Sequence, residues 1–174
     1  MAVFVLPVGY AVIIYFSVGL RRELGSFLWY LLLSLTTVFT GQSLGLLVSI
    51  AVPDLALANC VSFVLVLFIM LFGGFYVNVD RIPEWISGVR YASYMYWAFS
   101  GMVINEFGGR QLPCGDSEHA ADYGGCPFSG DLVVQEMGYS GGSVGRSFGC
   151  LLGMAILFRF CAYLSLRFGL QLRV

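Results

Sequence analysis

Four long apolar runs dominate the pattern of hydrophobic and polar positions along this chain. Three of them contain no charged residue, and the fourth contains only Arg159. A helix needs about 17–25 predominantly apolar residues to cross the hydrocarbon core of a bilayer, and each run is close to that length. We therefore predict four transmembrane helices, over residues 4–20, 27–51, 59–79 and 147–166.

The third predicted helix is interrupted before it ends. Gly73 and Gly74 break its apolar run, and charges first appear at Asp80. Pro83 then suits the first turn of a new helix, and many Tyr and Trp residues follow it with few charges. Because such aromatic density is typical of the membrane interface, we predict a re-entrant or interfacial segment over residues 82–104.

Residues 105–146 have the composition of a solvated external loop that is rich in glycine and acidic residues. Cys114 and Cys126 lie within it, and such a pair is typical of a disulfide in an oxidising compartment. A metal site is the alternative, because four further candidate ligands lie between the two thiols: Asp116, Glu118, His119 and Asp122. One His and two Cys do not match a standard zinc spacing, so we favour the disulfide and predict no metal.

Composition narrows the class of protein. With 59% hydrophobic and 11% charged residues and a mean hydropathy of +0.84, the chain has too little charge to cover a soluble globule. We predict an all-α polytopic membrane protein. All nine basic residues are Arg and form no basic tract, so nucleic acid is not an expected partner. A chain without Lys cannot contain the ATP-binding motif G-x-x-x-x-G-K-[ST], and no other catalytic grouping is present. We therefore predict no enzyme activity and no cofactor in this chain alone.

Several side chains within the predicted helices are candidates for function. Phe63, Leu67 and Met70 share one helical face, which either packs against a neighbouring helix or contacts lipophilic cargo. Glu106 lies among apolar residues and is either a functional acid or a loop carboxylate at the water boundary. Small and hydroxyl residues of the second helix serve either helix packing or a polar cavity wall. Arg159 must snorkel or pair inside a bundle.

Two observations on orientation conflict. Four helices place the connector 21–23 and the cysteine-bearing loop on the same side, and both chain ends on the other. The two Arg residues of the connector favour the cytosol, whereas a disulfide excludes it. We give more weight to the cysteine pair and to the C-terminal Arg167 and Arg173. The loop 105–146 is then non-cytosolic and the C-terminus cytosolic.

The order of these features resembles the second half of the membrane domain of G-subfamily (White-type) ABC half-transporters. The similarity rests on the Leu6-Pro7 opening, the break over residues 73–78, the sequence Ile82-Pro83-Glu84-Trp85, and Asn105-Glu106-Phe107 before a cysteine-bearing loop and one last helix. It covers nearly the whole chain. Because a predicted helix begins at residue one, we also expect the chain to be part of a longer protein.

The resemblance implies that the four helices are the third to sixth of the family's transmembrane domain. Two such domains, identical or different, dimerise in the membrane around a central cavity for lipophilic cargo. Phe63 and Met70 would line this cavity, and two bulky residues after the Gly73–Gly74 hinge would form an exit gate. Those two positions are Phe75 and Tyr76. ATP and Mg²⁺ would bind a separate nucleotide-binding domain.

Two functional hypotheses follow. The first is a transmembrane fragment of an ATP-driven exporter of lipophilic small molecules or lipids. The second is a stand-alone four-helix membrane scaffold or assembly protein without transport activity, which predicts that the chain folds alone as a monodisperse species in detergent.

Overall fold

Helices form almost all of the structure, a computed structural model that describes residues 2–21, 23–74, 88–112, 128–139 and 141–171. The α-helices are α1 (Ala2–Val18), α2 (Leu24–Ala51), α3 (Leu55–Leu71), α4 (Tyr94–Phe107), α5 (Gly130–Glu136) and α6 (Val144–Gln171). A 3₁₀-helix, Gly88–Ala92, precedes α4. Two short strands, β1 (Gln111–Leu112) and β2 (Phe128–Ser129), pair antiparallel, with Gln111 opposite Ser129.

The helices α1, α2 and α6 overlap the predicted spans 4–20, 27–51 and 147–166, with bounds that differ by a few residues. The helix α3 begins at Leu55 rather than at the predicted residue 59. The Asp54 carboxylate accepts a hydrogen bond from the Ala56 main-chain N–H at 3.1 Å, and this cap starts the helix earlier. The chain leaves α3 through a turn over residues 72–74, and residues 75–79 lie outside the described part.

Two helices of the described residues are long and apolar enough to cross a membrane. Leu24–Ala51 has 28 residues with a hydropathy of 1.7, and Val144–Arg167 has 24 residues with a hydropathy of 1.8. The helices α1 and α3 have 17 residues each. At 1.5 Å per residue, each of these two spans roughly 25 Å, somewhat less than the hydrocarbon core of about 30 Å. The four-helix membrane topology therefore stays a prediction.

The centre of the bundle lies where α4 packs between α2 and α6. Leu33 and Leu151 are completely buried there, together with Ala98. Gly101 permits the close approach of the three helices, since a Cβ at this position would lie 3.0 Å from the Leu33 methyl carbons and from Ser147 Cβ. This packing fixes α4 against the two long helices.

Hydroxyl residues of α2 lie in this packed interface. Thr36, Thr40 and Ser43 are buried, and each donates a hydrogen bond of 2.7 Å to the carbonyl four residues earlier in α2. The Thr40 hydroxyl also lies 3.3 Å from the Leu151 carbonyl oxygen of α6. These contacts support the packing interpretation of the polar residues rather than a cavity wall.

Arg159 pairs within the bundle, as one of the two sequence-based alternatives requires. Its Nε donates a hydrogen bond to Ser43 Oγ at 3.1 Å, and its guanidinium carbon lies 4.2 Å from the centre of the Phe39 ring. The helices α2 and α6 are thereby connected by a cation–π contact and a hydrogen bond.

The predicted loop over residues 105–146 was too long. The helix α4 continues to Phe107, the two strands pair beyond it, and α6 already begins at Val144. The short helix α5 starts at Ser129, whose hydroxyl accepts a hydrogen bond from Asp131 N at 3.3 Å. Part of the region is thus ordered by local caps and by packing on α4. The predicted disulfide cysteines, Cys114 and Cys126, lie outside the described residues.

Candidate functional site at the carboxyl end of α3

The helix α3 lies at the edge of the described bundle. Ile69 is its only buried side chain. Of the predicted cavity face, Phe63 is 66% exposed, Leu67 is 54% exposed and Met70 is partly buried. The described residues therefore leave this apolar face open, and the predicted role of these three side chains in a cargo cavity stays a prediction.

The last turn of α3 is anchored by two hydrogen bonds from distant parts of the chain. Ser93 Oγ donates to the Ile69 carbonyl at 2.9 Å, and the Tyr139 hydroxyl donates to the Gly73 carbonyl at 3.2 Å. Ser93 occupies the N-cap of α4, yet its hydroxyl makes no cap bond and instead holds α3. Both donors are nearly completely buried, so the end of α3 is fixed against α4 and against the segment after α5.

The two glycines at this end have different steric roles. Gly73 is buried, and a Cβ there would lie 3.1 Å from Met95 Cβ and Cγ and 3.1 Å from the Ile69 carbonyl oxygen. Gly74 has a φ of +82°, a conformation that side-chain-bearing residues adopt only with strain. The pair therefore provides a close approach to α4 and a left-handed helix end. The predicted hinge movement stays a prediction.

Tyr139, which donates to the Gly73 carbonyl, also belongs to an aromatic cluster. Its ring centre lies 5.4 Å from that of Tyr96 and 6.0 Å from that of Phe99. Burial raises the pKa of the Tyr139 hydroxyl well above its usual range, the neighbouring Tyr96 raises it further, and the positive charge of Arg90 lowers it. The hydroxyl thus stays protonated and serves as a hydrogen-bond donor.

Two predicted gate residues, Phe75 and Tyr76, lie outside the described residues. They follow directly on Gly74, so the anchored turn is the last described element before the predicted gate.

Glu106 lies in a separate cluster at the end of α4. Both of its carboxylate oxygens accept the Arg21 main-chain N–H at 3.1 Å, and Arg110 Nη1 donates to one of them at 3.0 Å. The Arg21 guanidinium reaches the Gly108 carbonyl at 3.4 Å, and the Tyr15 hydroxyl donates to the Arg21 carbonyl. Glu106 therefore ties the α1–α2 connector to α4. Its predicted role as a functional acid stays a prediction.

Sequence reasoning missed Ser93 and Tyr139, the two donors that position the end of α3. Neither belongs to a periodic apolar pattern. Tyr139 is a single aromatic residue in a glycine-rich segment, and the only local signal is that such a residue needs a partner for its hydroxyl when it is buried.

Comparison with known families identifies the chain. Residues 1–107 match the ABC-2 type transporter family, and the match ends at the last residue of α4. The chain belongs to the ABC-2 type transporter family. The matched region contains α1 to α4, including the anchored end of α3. The ABC-2 domain is the transmembrane domain of such transporters, so membership of this family implies an integral membrane protein.

Several curated ABC transporters are similar to this ABC-2 chain over most of its length. ABC transporter G family member 1 of Dictyostelium discoideum is 29% identical over 167 residues, which are 93% of the chain and 21% of that protein. Protein white of Drosophila melanogaster is 27% identical over 161 residues, 92% of the chain and 23% of that protein. The broad substrate specificity ATP-binding cassette transporter ABCG2 of Rattus norvegicus is 28% identical over 164 residues, 91% of the chain and 25% of that protein.

These relatives confirm the predicted resemblance to G-subfamily and White-type transporters. The ABC-2 chain spans only about a fifth to a quarter of the length of these three proteins, namely 21%, 23% and 25%.

Proposed function

We propose that this ABC-2 chain is the membrane-embedded part of an ATP-driven exporter of lipophilic small molecules or lipids. ATP and Mg²⁺ bind a nucleotide-binding domain that lies outside these 174 residues, because a chain without Lys has no ATP-binding loop of the P-loop type. The exposed apolar side chains of Phe63 and Leu67 suit lipophilic cargo. The similarity to a rat transporter named for its broad substrate specificity agrees with cargo of more than one kind.

Four helices cross the membrane in this proposal: α1, α2, α3 and α6. The 3₁₀-helix and α4 form the re-entrant segment, and the loop beyond α4 is non-cytosolic with a Cys114–Cys126 disulfide. The Arg21–Glu106 contact supports this topology, because it joins the α1–α2 connector to the end of α4 as the arrangement requires.

The open face of α3 faces the translocation pathway, which a second half-transporter completes. The exposure of Phe63 and Leu67 supports this assignment. A helix whose apolar side chains find no neighbour in their own chain packs against lipid, against another chain or against cargo. A dimer of two such domains, identical or different, supplies both the second chain and the cavity.

One observation carries the proposed gate: the end of α3 is fixed immediately before Phe75 and Tyr76. Hydrogen bonds from Ser93 and Tyr139 hold the Ile69 and Gly73 carbonyls. The proposed gate therefore follows directly on a fixed end of α3. Bulky aromatic side chains that follow a fixed helix end can close a narrow exit, because the position of their backbone is set in advance.

The gate is tested by replacing both of its residues in the complete transporter, as Phe75→Ala with Tyr76→Ala. After reconstitution into vesicles, ATP hydrolysis and cargo flux are measured separately in the same preparation. We expect hydrolysis to continue while net transport per ATP falls, because cargo flows back through an open exit.

The matched control is Leu57→Ala. Leu57 is an exposed apolar residue in the first turn of α3, at the opposite end from the gate. We expect this variant to keep the ratio of transport to hydrolysis. A double gate variant with unchanged coupling would contradict the proposed gate.

A further inference from the structure

A partly enclosed cavity of about 90 Å³ lies between the 3₁₀-helix, α4 and the first turn of α6. Four aromatic residues line it, together with Arg146, two serines and two glycines. The lining residues used below are Tyr91, Tyr96, Trp97, Tyr139, Arg146 and Ser147. Neither the sequence patterns nor the proposed gate assigns any role to this cavity.

Two guanidinium groups lie over aromatic rings of this wall, and of the two only Arg146 lines the cavity itself. The Arg146 guanidinium carbon lies 5.9 Å from the Trp97 ring centre. The Arg90 guanidinium carbon lies 4.8 Å from the Tyr91 ring and 5.9 Å from the Tyr96 ring. Cation–π contacts of this kind fix the plane of a guanidinium and leave its N–H groups free to donate.

These positive charges are not neutralised within the described part of the chain. Over those residues the ion pairs are Arg21–Glu23 and Arg110–Glu106, and neither Arg90 nor Arg146 belongs to one. Arg90 donates from Nη2 to the Tyr91 hydroxyl at 2.9 Å, but its buried Nε finds no acceptor among the described residues. The Arg90 side chain does not line the cavity, but its charge lies beside the Tyr91 and Tyr96 rings that do.

The chemistry of the wall favours a phosphate group among anions. Arg forks match phosphate oxygens in geometry, and the buried Ser147 hydroxyl adds a further donor. The cavity also lies at the first turn of the 28-residue α6, and the N-terminal end of a helix favours negative charge. A volume of about 90 Å³ corresponds to roughly three water molecules, which is the scale of one small tetrahedral anion.

We propose that this cavity binds a phosphate group, carried either by the headgroup of a membrane lipid or by a free phosphate. Aromatic walls alone would also suit a quaternary ammonium ion, but the Arg146 guanidinium in the wall repels a cation. Tyr and Trp residues are enriched where a membrane meets water, which is also where lipid phosphates lie. The inference stands whether or not the chain exports cargo.

A bound phosphate acts on the end of α3 through Tyr139. This side chain lines the cavity with its ring and holds the Gly73 carbonyl with its hydroxyl. Occupation of the cavity restricts the ring and thereby stabilises the anchor.

Fluorescence of Trp97 reports binding directly, because Trp97 lines the cavity. The full-length protein carries Trp29→Phe and Trp85→Phe, so that Trp97 is the one tryptophan left of the three in this chain. It is placed in nanodiscs of a phosphate-free galactolipid. One arm titrates inorganic phosphate, and the other adds phosphatidic acid to the disc. Chloride at matched ionic strength is the salt control. Any tryptophans elsewhere in the protein are also replaced.

We expect a saturable change in Trp97 fluorescence that Arg146→Gln weakens by at least about tenfold, as for loss of one charge-assisted hydrogen bond. Arg146→Lys keeps the positive charge but not the forked guanidinium. Its affinity for phosphate is expected to lie between those of the unsubstituted protein and Arg146→Gln. Arg167→Gln, at the far end of α6, is the matched control and leaves binding unchanged. Saturation by phosphatidic acid alone assigns a lipid headgroup, and saturation by inorganic phosphate assigns a soluble anion.

The thermal unfolding of the unsubstituted protein provides a second measurement that needs no variant to fold. Ligand binding to the folded state raises the Tm with increasing ligand. A protein whose Trp97 signal and Tm respond to neither source beyond the chloride control overturns the proposal. So does a response that Arg146→Gln leaves unchanged in a folded, monodisperse protein.

Discussion

Replacing Gly73 by alanine tests the anchored end of α3 with a single added methyl group. The backbone at Gly73 does not have a positive φ, so alanine is allowed conformationally and the effect is steric. The new Cβ would lie 3.1 Å from Met95 Cβ and Cγ and equally close to the Ile69 carbonyl oxygen. Ordinary van der Waals contacts between carbon atoms lie at about 3.5–4.0 Å, so α3 and α4 must separate by a few tenths of an ångström.

The expected size follows from two opposing terms. Inserting a methyl group into a well-packed contact costs about 1–3 kcal/mol. Replacing glycine by alanine without strain returns about 0.4–1 kcal/mol, because the unfolded chain loses freedom. We therefore expect Gly73→Ala to lower the free energy of unfolding by about 1–2 kcal/mol, which corresponds to a fall in Tm of roughly 2–8 °C for a chain of this size.

Gly45→Ala is the matched control. Gly45 lies inside α2, and a Cβ there would meet nothing within 4 Å. The same chemical change is expected to raise stability by about 0.5–1 kcal/mol, because alanine is the better helix former. The two variants should shift the Tm in opposite directions when both are measured by thermal unfolding in the same detergent.

A further variant separates steric crowding from other causes. Met95→Ala removes Cγ and the rest of the side chain beyond Cβ, so it should restore part of the stability in the Gly73→Ala background. A Gly73→Ala protein as stable as Gly45→Ala would refute the close packing of α3 on α4.

Three further substitutions test the other contacts. Tyr139→Phe should lower stability by about 1–2 kcal/mol, since the buried Gly73 carbonyl loses its donor. Because the pKa of Tyr139 is raised above 10.0 in the folded protein, stability should fall as the pH rises above 10.0, and this loss should be smaller in Tyr139→Phe when unfolding is followed against pH. Glu106→Gln should cost about 1–2 kcal/mol in chemical unfolding, whereas Glu23→Gln, in an exposed ion pair, should change little. Gly101→Ala should cost about 1–3 kcal/mol in thermal unfolding, since its Cβ would come within 3.0 Å of side chains from both neighbouring helices.

The apolar runs determined most of the helices. A segment without charges in a membrane protein must satisfy its own backbone hydrogen bonds, and a helix does so without any partner. For this reason α1, α2 and α6 could be located from hydrophobicity alone. The start of α3 is also encoded locally, by the Asp54 cap. The prediction was based on apolar residues and did not use this cap.

Other features of the site could be predicted from the sequence only in part. The two glycines after α3 indicated a break, and the structure gives each a separate steric reason. Glu106 stood out as an acid among apolar residues, but its partner Arg21 lies 85 positions away along the chain. Local composition cannot predict a contact between residues so far apart along the chain.

The sequence by itself thus determined the class of protein, the helical segments and the place where α3 breaks, because these depend on hydrophobicity and backbone conformation within one segment. The tertiary structure alone decided which groups hold that break in place. The donors to Ile69 and Gly73 come from 24 and 66 positions away, and the Arg159 contact to Ser43 spans 116 positions. Such partners are brought together by the packing of α4 between α2 and α6, and only the folded arrangement specifies that packing.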